Sequence, residues 1–203
     1  TKSMRANYPK FSPDNKNICF IAHFNSTSQI YIMDLNSENI KMITNNIGDI
    51  QILTPSWSPD GKFIAYAQSD ENGWLDIYVY SLVNGEINQL TNSPESDYLP
   101  IWSPDGENIS FTGLYDYTPN LYSVNLATGK IIQNTDVGDI VIGTQWHNLN
   151  SSITALTLST VDSSRIVEID PKKSVEKNKL IINPKYSSWR TKKPDYPLSN
   201  INY

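Results

Sequence analysis

The chain has 203 residues, 38% of them hydrophobic and 18% charged, with a formal net charge of −5, which is enough apolar content for a sizeable core in one folded domain. Its charge is unevenly placed: residues 1–170 hold 8 Lys+Arg against 19 Asp+Glu, or −11, and residues 171–203 hold 8 against 2, or +6. An acidic body of this kind argues against nucleic acid as a partner, no apolar run approaches membrane-spanning length, and a single cysteine, Cys19, excludes an internal disulfide.

The opening TKSMRAN has no signal-peptide core, and Met falling only at position 4 leads to the expectation that a segment upstream has been removed. A first unit follows, with the turn FSPDN at Phe11–Asn15, the apolar run NICFIAHF and the strand QIYIMDL. The second unit carries WSPDG at Trp57–Gly61 and predicts four strands near Ile52–Trp57, Phe63–Gln68, Asp76–Ser81 and Ile87–Thr91, from short alternating runs bounded by turn residues. The third repeats WSPDG at Trp102–Gly106, and the fourth has a degenerate copy, WHNLN, at Trp146–Asn150.

Ser-Pro-Asp-Gly is turn chemistry. Proline presets φ, the Asp side chain bonds nearby N–H groups, and the last position needs a positive φ. That position is Asn15, Gly61, Gly106 and Asn150, the residue types that tolerate it best, at separations of 46, 45 and 44. Tyr31, Tyr78 and Tyr122 fall in register, with Val167 in the fourth unit, and a second turn recurs at Gly85 and Gly129. Glu38 stands where the first unit would need that glycine, so its second turn is expected to differ.

Four-stranded repeats of about 45 residues are the grammar of β-propeller blades. The fold class is all-β, with units of about 7–48, 49–94, 95–138 and 139–183. The basic segment 171–203 completes the last blade, supplies a closing strand or serves as a linker.

The WSPDG motifs, followed in unit two by IAYAQSDENGWLDIYVYSLVNGEINQLT, resemble the repeats of the TolB-like (PD40) propeller family over about residues 7–170. The resemblance implies a non-catalytic module for protein or peptide recognition in a periplasmic or other extracytoplasmic setting, with peripheral envelope association. Propellers of this family typically have more than four blades. The four units therefore form either a closed four-bladed ring or part of a larger one, which would self-associate if left incomplete. Related propellers also occur in prolyl oligopeptidase-like peptidases, whose Ser-His-Asp chemistry lies in a separate domain, and in oligogalacturonate lyases, whose metal is held largely by histidines. His23 and His147 fall in different units and do not complete such a site, and no nucleophile elbow, H-E-x-x-H or P-loop motif occurs.

Residue roles follow from the repeat. Trp57, Trp102 and Trp146, with Phe11, are expected to pack between blades. Asp14, Asp60 and Asp105, beside Gly61 and Gly106, belong to the turns. Loops at one end of the blades bring together Asp49, Asp70, Glu71, Glu95, Asp97, Asp116, Asp136 and Asp139 beside Trp74, Tyr98, Tyr115 and Tyr117. An acidic, aromatic rim of this composition suits a protein or peptide partner of basic character. No cofactor is expected, although carboxylates at a channel mouth could hold Ca²⁺.

Overall fold

The computed structural model describes residues 5–24, 26–115, 118–135, 140–147, 152–158 and 165–171. Asp116, Tyr117, Asp136, Asp139, Asn150 and the basic segment beyond residue 171 lie outside them. The described residues form fifteen strands and no helix, arranged as four antiparallel meanders. Blade one holds β1 (Arg5–Phe11), β2 (Asn17–Phe24), β3 (Thr27–Asp34) and β4 (Ile40–Met42). Blade two holds β5 (Ile52–Trp57), β6 (Phe63–Ser69), β7 (Leu75–Ser81) and β8 (Ile87–Gln89). Blade three holds β9 (Asp97–Trp102), β10 (Asn108–Tyr115), β11 (Thr118–Asn125) and β12 (Ile131–Gln133), and blade four holds β13 (Ile140–Trp146), β14 (Ile153–Leu158) and β15 (Arg165–Ile169).

The first hairpin of blades one to three is fixed by one serine and one aspartate. In blade two the Ser58 hydroxyl donates to Asp60 Oδ1 at 2.7 Å and accepts from Phe63 N at 2.9 Å, while Lys62 N donates to Asp60 Oδ1 at 3.1 Å. The same set recurs around Ser12 and Asp14, and around Ser103 and Asp105. Asn15, Gly61 and Gly106 take φ of 57°, 70° and 74°, the left-handed conformation that closes the turn. Blade four keeps the closing bond, His147 N to Ser152 O at 2.8 Å.

The second turn of blade one keeps the conformation of the others at Glu38, contrary to expectation, although the bonds Gly85 N makes to Ser81 O and Gly129 N to Asn125 O have no counterpart at Glu38 N. Glu38 has φ of 56°, matching Gly85 at 77° and Gly129 at 68°. Asp34 N bonds Asn39 O, just as Ser81 N bonds Glu86 O and Asn125 N bonds Lys130 O. The Asp34 carboxylate accepts from the backbone of Asn36 and Ser37, and this holds the loop tightly enough to impose a conformation the glutamate would otherwise avoid.

Each inner strand is bulged three residues before its terminal aromatic. Tyr8, Thr54 and Leu99 have φ of 52°, 49° and 56°, and a proline follows each one. The strand register slips at these points. A proline has no N–H to give the ladder, so the bulge absorbs it without stranding an acceptor. Gly143 occupies the same offset in β13, where the register also slips.

Between blades, large side chains meet small ones. Ala65 and Ala67 of blade two, with Ile77 and Val79, face Trp102, Phe111 and Tyr122 of blade three. Cys19, Ile21 and Ile30 of blade one meet Ile52, Ile64 and Tyr66 of blade two, and Leu121 of blade three joins Val141, Trp146, Ile153 and Val167 of blade four. Trp57 Nε1 donates to Lys10 O at 3.0 Å and Trp102 Nε1 to Ser56 O at 3.0 Å, so each indole clasps the inner strand of the preceding blade. Phe11 holds this place in blade one with no described blade before it, and is 62% exposed where Trp102 is 8% exposed.

Candidate functional site

Loops between second and third strands meet the loops between blades at one end of the structure. Ser28 N donates to Ile50 O at 3.0 Å, Leu75 N to Ser96 Oγ at 3.2 Å and Leu114 N to Ser96 O at 2.9 Å. The Trp-Ser-Pro-Asp turns lie at the opposite end of the same strands. Asp14 and Asp60 are therefore turn acceptors, remote from the rim. At Asp14 the Ser12 hydroxyl, then the Lys16 N–H, hold the carboxyl below its ordinary range. At Asp60 slight burial pushes upward, but the Ser58 hydroxyl and Lys62 N–H outweigh it and the carboxyl again lies low.

The described residues assigned to the rim differ in their surroundings. Asp49 and Glu71 are exposed, and Trp74 is 43% exposed. Asp70 is spent on its own loop: its carboxylate accepts from Asn72 N at 2.9 Å, Trp74 N at 2.8 Å and Asn72 Nδ2 at 3.1 Å. Partial burial pushes its pKa up, but these donors outweigh it and the carboxyl lies below its ordinary range. With Gly73 at φ of 89° and Asp70 N bonded to Trp74 O, the loop is a short, well-bonded turn that presents the Trp74 indole to solvent.

Tyr98 and Tyr115 are half-buried against the core between blades two and three, with the Tyr115 ring 4.7 Å from that of Tyr122. Burial raises both phenol pKa values, and the charge of Asp97 raises that of Tyr115 further.

Asp97 departs most from expectation: it is not on an exposed rim but completely buried. The reason is its place in the inner strand, five residues before the terminal aromatic, where blades one, two and four have Ala6, Ile52 and Val141. Neither Asp97 oxygen has a hydrogen bond of good geometry, although the hydroxyls of Thr91, Tyr115 and Ser93 are near enough to favour its ionised form. Burial pushes its pKa up to about 6 against those hydroxyls, and the charge of Asp76 also raises it. Gly113 lies against it: a Cβ there would come within 2.9 Å of Asp97 Oδ1 and 2.5 Å of Tyr115 Cε2.

Asp76 is the neighbour that sequence reasoning passed over. It is 4% exposed and accepts from Thr91 Oγ1 at 3.1 Å, Ser93 N at 3.1 Å and Gln89 Nε2 at 3.1 Å. Blades one and three fill the same position with amides, Gln29 and Asn120, which accept from Thr44 and Thr135 in the same way. Those threonines in turn accept from Ile30 N, Ile77 N and Leu121 N, so the clamp repeats while its charge does not. Sequence alignment of the units would have exposed a charge at one copy of an amide position.

Two further features frame the site. His23 Nδ1 lies 3.0 Å from Ser28 Oγ, and its Nε2 lies 3.4 Å from Asn7 Nδ2, so its ring is occupied in bridging β1 to β3. The inner strands line a half-open channel of about 620 Å³ whose wall includes Tyr8, Lys10, Thr54, Trp57, Leu99 and Gly143, so the bulges face it. Among the described residues no three His, Cys, Asp or Glu side chains come together as a metal-ligand group.

The sequence matches the TolB beta propeller domain family over residues 2–190, and the chain belongs to that family. It is 33% identical over 110 residues to the Tol-Pal system protein TolB of Francisella tularensis subsp. holarctica, a match covering 53% of this chain and 25% of that protein. It is 31% identical over 110 residues to the uncharacterized peptidase YuxL of Bacillus subtilis, covering 51% of this chain and 16% of that protein. In fold it is similar to TolB from Acinetobacter baumannii, with a TM-score of 0.71 and 22% identity, over 87% of this chain and 43% of that one. The chain thus spans about a quarter or less of the curated relatives it matches.

Proposed function

We propose that this TolB-family propeller is a non-catalytic recognition module that binds a basic protein or peptide segment at the rim of blades one to three, in an extracytoplasmic setting with peripheral envelope association. The observation that carries this reading is the presentation of Trp74. An indole 43% exposed, on a turn whose Asn72, Gly73 and Trp74 N–H groups all bond to Asp70, costs little entropy to immobilise on a partner. Exposed Asp49 and Glu71 supply the negative surroundings that favour a cationic segment. Similarity to proteins named for the Tol-Pal system supports the envelope setting.

The test is titration of the chain with a panel of Lys/Arg-rich and Asp/Glu-rich peptides by fluorescence anisotropy. Cationic peptides should bind, more weakly as salt rises, and Trp74→Ala should lower affinity by about 10- to 100-fold with the fold intact. Equal binding of acidic and basic peptides, or an unchanged affinity in Trp74→Ala, counts against the reading.

A second reading, the propeller part of a larger peptidase, is favoured by the similarity to YuxL. A catalytic domain continuous with this chain in its gene would support it.

A further inference from the structure

Blades two and three meet over a buried charge that the fold does not use. Asp97 is completely buried, its two oxygens lack well-formed hydrogen bonds, and it replaces the small or apolar residue found at this position in the other blades. A carboxylate in such a place is expensive unless something positive or protic meets it. Facing it is not a cation but a second acid, Asp76, at a position where the neighbouring blades use neutral amides. Two deviations from the repeat therefore coincide in space, both adding an acid. Gly113 leaves out the side chain that would crowd Asp97.

We propose that Asp76 and Asp97 bind a hard divalent cation, Ca²⁺, between blades two and three, independently of the peptide reading of the rim. The groups able to ligate the ion are oxygens, the two carboxylates and the hydroxyls of Thr91, Ser93 and Tyr115, while the nearby nitrogens Ser93 N and Gln89 Nε2 donate to Asp76 and leave its carboxylate further lone pairs for an ion. Oxygen ligands of mixed carboxylate and hydroxyl type select a hard cation over softer metals, and Ca²⁺ accepts flexible coordination where Mg²⁺ demands a near-ideal octahedron. The site differs from one at the channel mouth, because both acids lie in the seam between two blades. Its role would be to lock that seam: Asp76 already fixes the Thr91–Ser93 segment, and the ion would tie that segment to β9. Glu95, two residues before Asp97 in the chain, also has a buried Oε2 without a hydrogen bond.

The experiment is thermal unfolding of the full chain, stripped with chelator, in EGTA and in millimolar Ca²⁺ or Mg²⁺. It is paired with Tb³⁺ luminescence excited through nearby tyrosine. Asp76→Asn is the sharper variant, because it installs the amide type that blades one and three use and keeps acceptors for Thr91 and Ser93. Asp97→Asn is the second. The expected result is an upward Tm shift of about 2–8 °C with Ca²⁺, smaller with Mg²⁺, and sensitised Tb³⁺ emission displaced by Ca²⁺, all lost in both variants. The proposal is overturned by a wild-type Tm unmoved by Ca²⁺, or by a Ca²⁺ shift that survives in both variants. A Tm that rises on acidification from pH 7 to 5 with no response to Ca²⁺ would show that a shared proton, not a cation, answers the charge.

Discussion

The indole Nε1 of Trp102 donates to the carbonyl oxygen of Ser56 at 3.0 Å, across the seam between blades three and two. Trp57 makes the same bond to Lys10 one blade earlier. At these two positions the bond gives a physical reason for tryptophan rather than any large apolar residue: the ring fills the seam and its single donor satisfies a carbonyl of the neighbouring blade, whereas Trp146 Nε1 in blade four is buried without such a bond.

Trp102→Phe should keep most of the packing and lose the bond, at a cost of about 1 kcal/mol, whereas Trp102→Ala should cost about 3–5 kcal/mol. Phe11→Ala, at the same position but 62% exposed, should cost under about 1 kcal/mol. Urea midpoints of the three variants check this. Similar losses at positions 11 and 102 would mean that the leading face of blade one is covered in solution.

Acid should loosen the turns. Asp14 and Asp60 have folded pKa values below the ordinary 3.8, so their contribution to stability is complete above that value and is lost as pH falls through the folded pKa. Melting temperature should drop between pH 4 and pH 2, and the combined Asp14→Asn, Asp60→Asn variant should show a shallower drop. An unchanged slope would remove these carboxylates from the account.

Backbone and packing constraints at two positions predict opposite signs. Gly113→Ala places a Cβ 2.5 Å from the Tyr115 ring and should destabilise by about 1–3 kcal/mol. Glu38→Gly relieves a left-handed φ of 56° and should stabilise by a few tenths to about 1 kcal/mol. Denaturant unfolding of each variant decides both.

Cys19 is fully buried, and burial pushes its thiol up to about 12. The native protein should react with an aromatic disulfide reagent only at its unfolding rate, and addition of urea should release stoichiometric thiol. Rapid labelling without denaturant would mean that blades one and two separate readily.

Much of this architecture was legible in the chain because it is written in turns. Asn15, Gly61 and Gly106 announced their φ by residue type, and the period they set located the blades. Glu38 hid the same turn because its conformation is imposed by Asp34, a side chain whose role shows only in three dimensions. The Tyr8, Thr54 and Leu99 bulges had a signal, a proline following each at a constant distance before the aromatic, but proline alone does not distinguish a bulge from a strand edge. The rim was the least legible part. Loop position gives no burial, so Asp97 read like Asp49 although one is buried and the other exposed. Asp76 drew no notice because its amide counterparts, Gln29 and Asn120, are unremarkable until their hydrogen bonds to Thr44 and Thr135 are seen.

The most direct test of rim recognition is to follow the indole N–H resonances of the five tryptophans while a cationic peptide is added. Recognition at the rim should move the Trp74 signal to saturation, while those of Trp57 and Trp102, tied to backbone carbonyls in the seams, stay in place. Movement of Trp57 with Trp74 unmoved would put the partner in the channel beside Lys10 and contradict the rim as the binding surface.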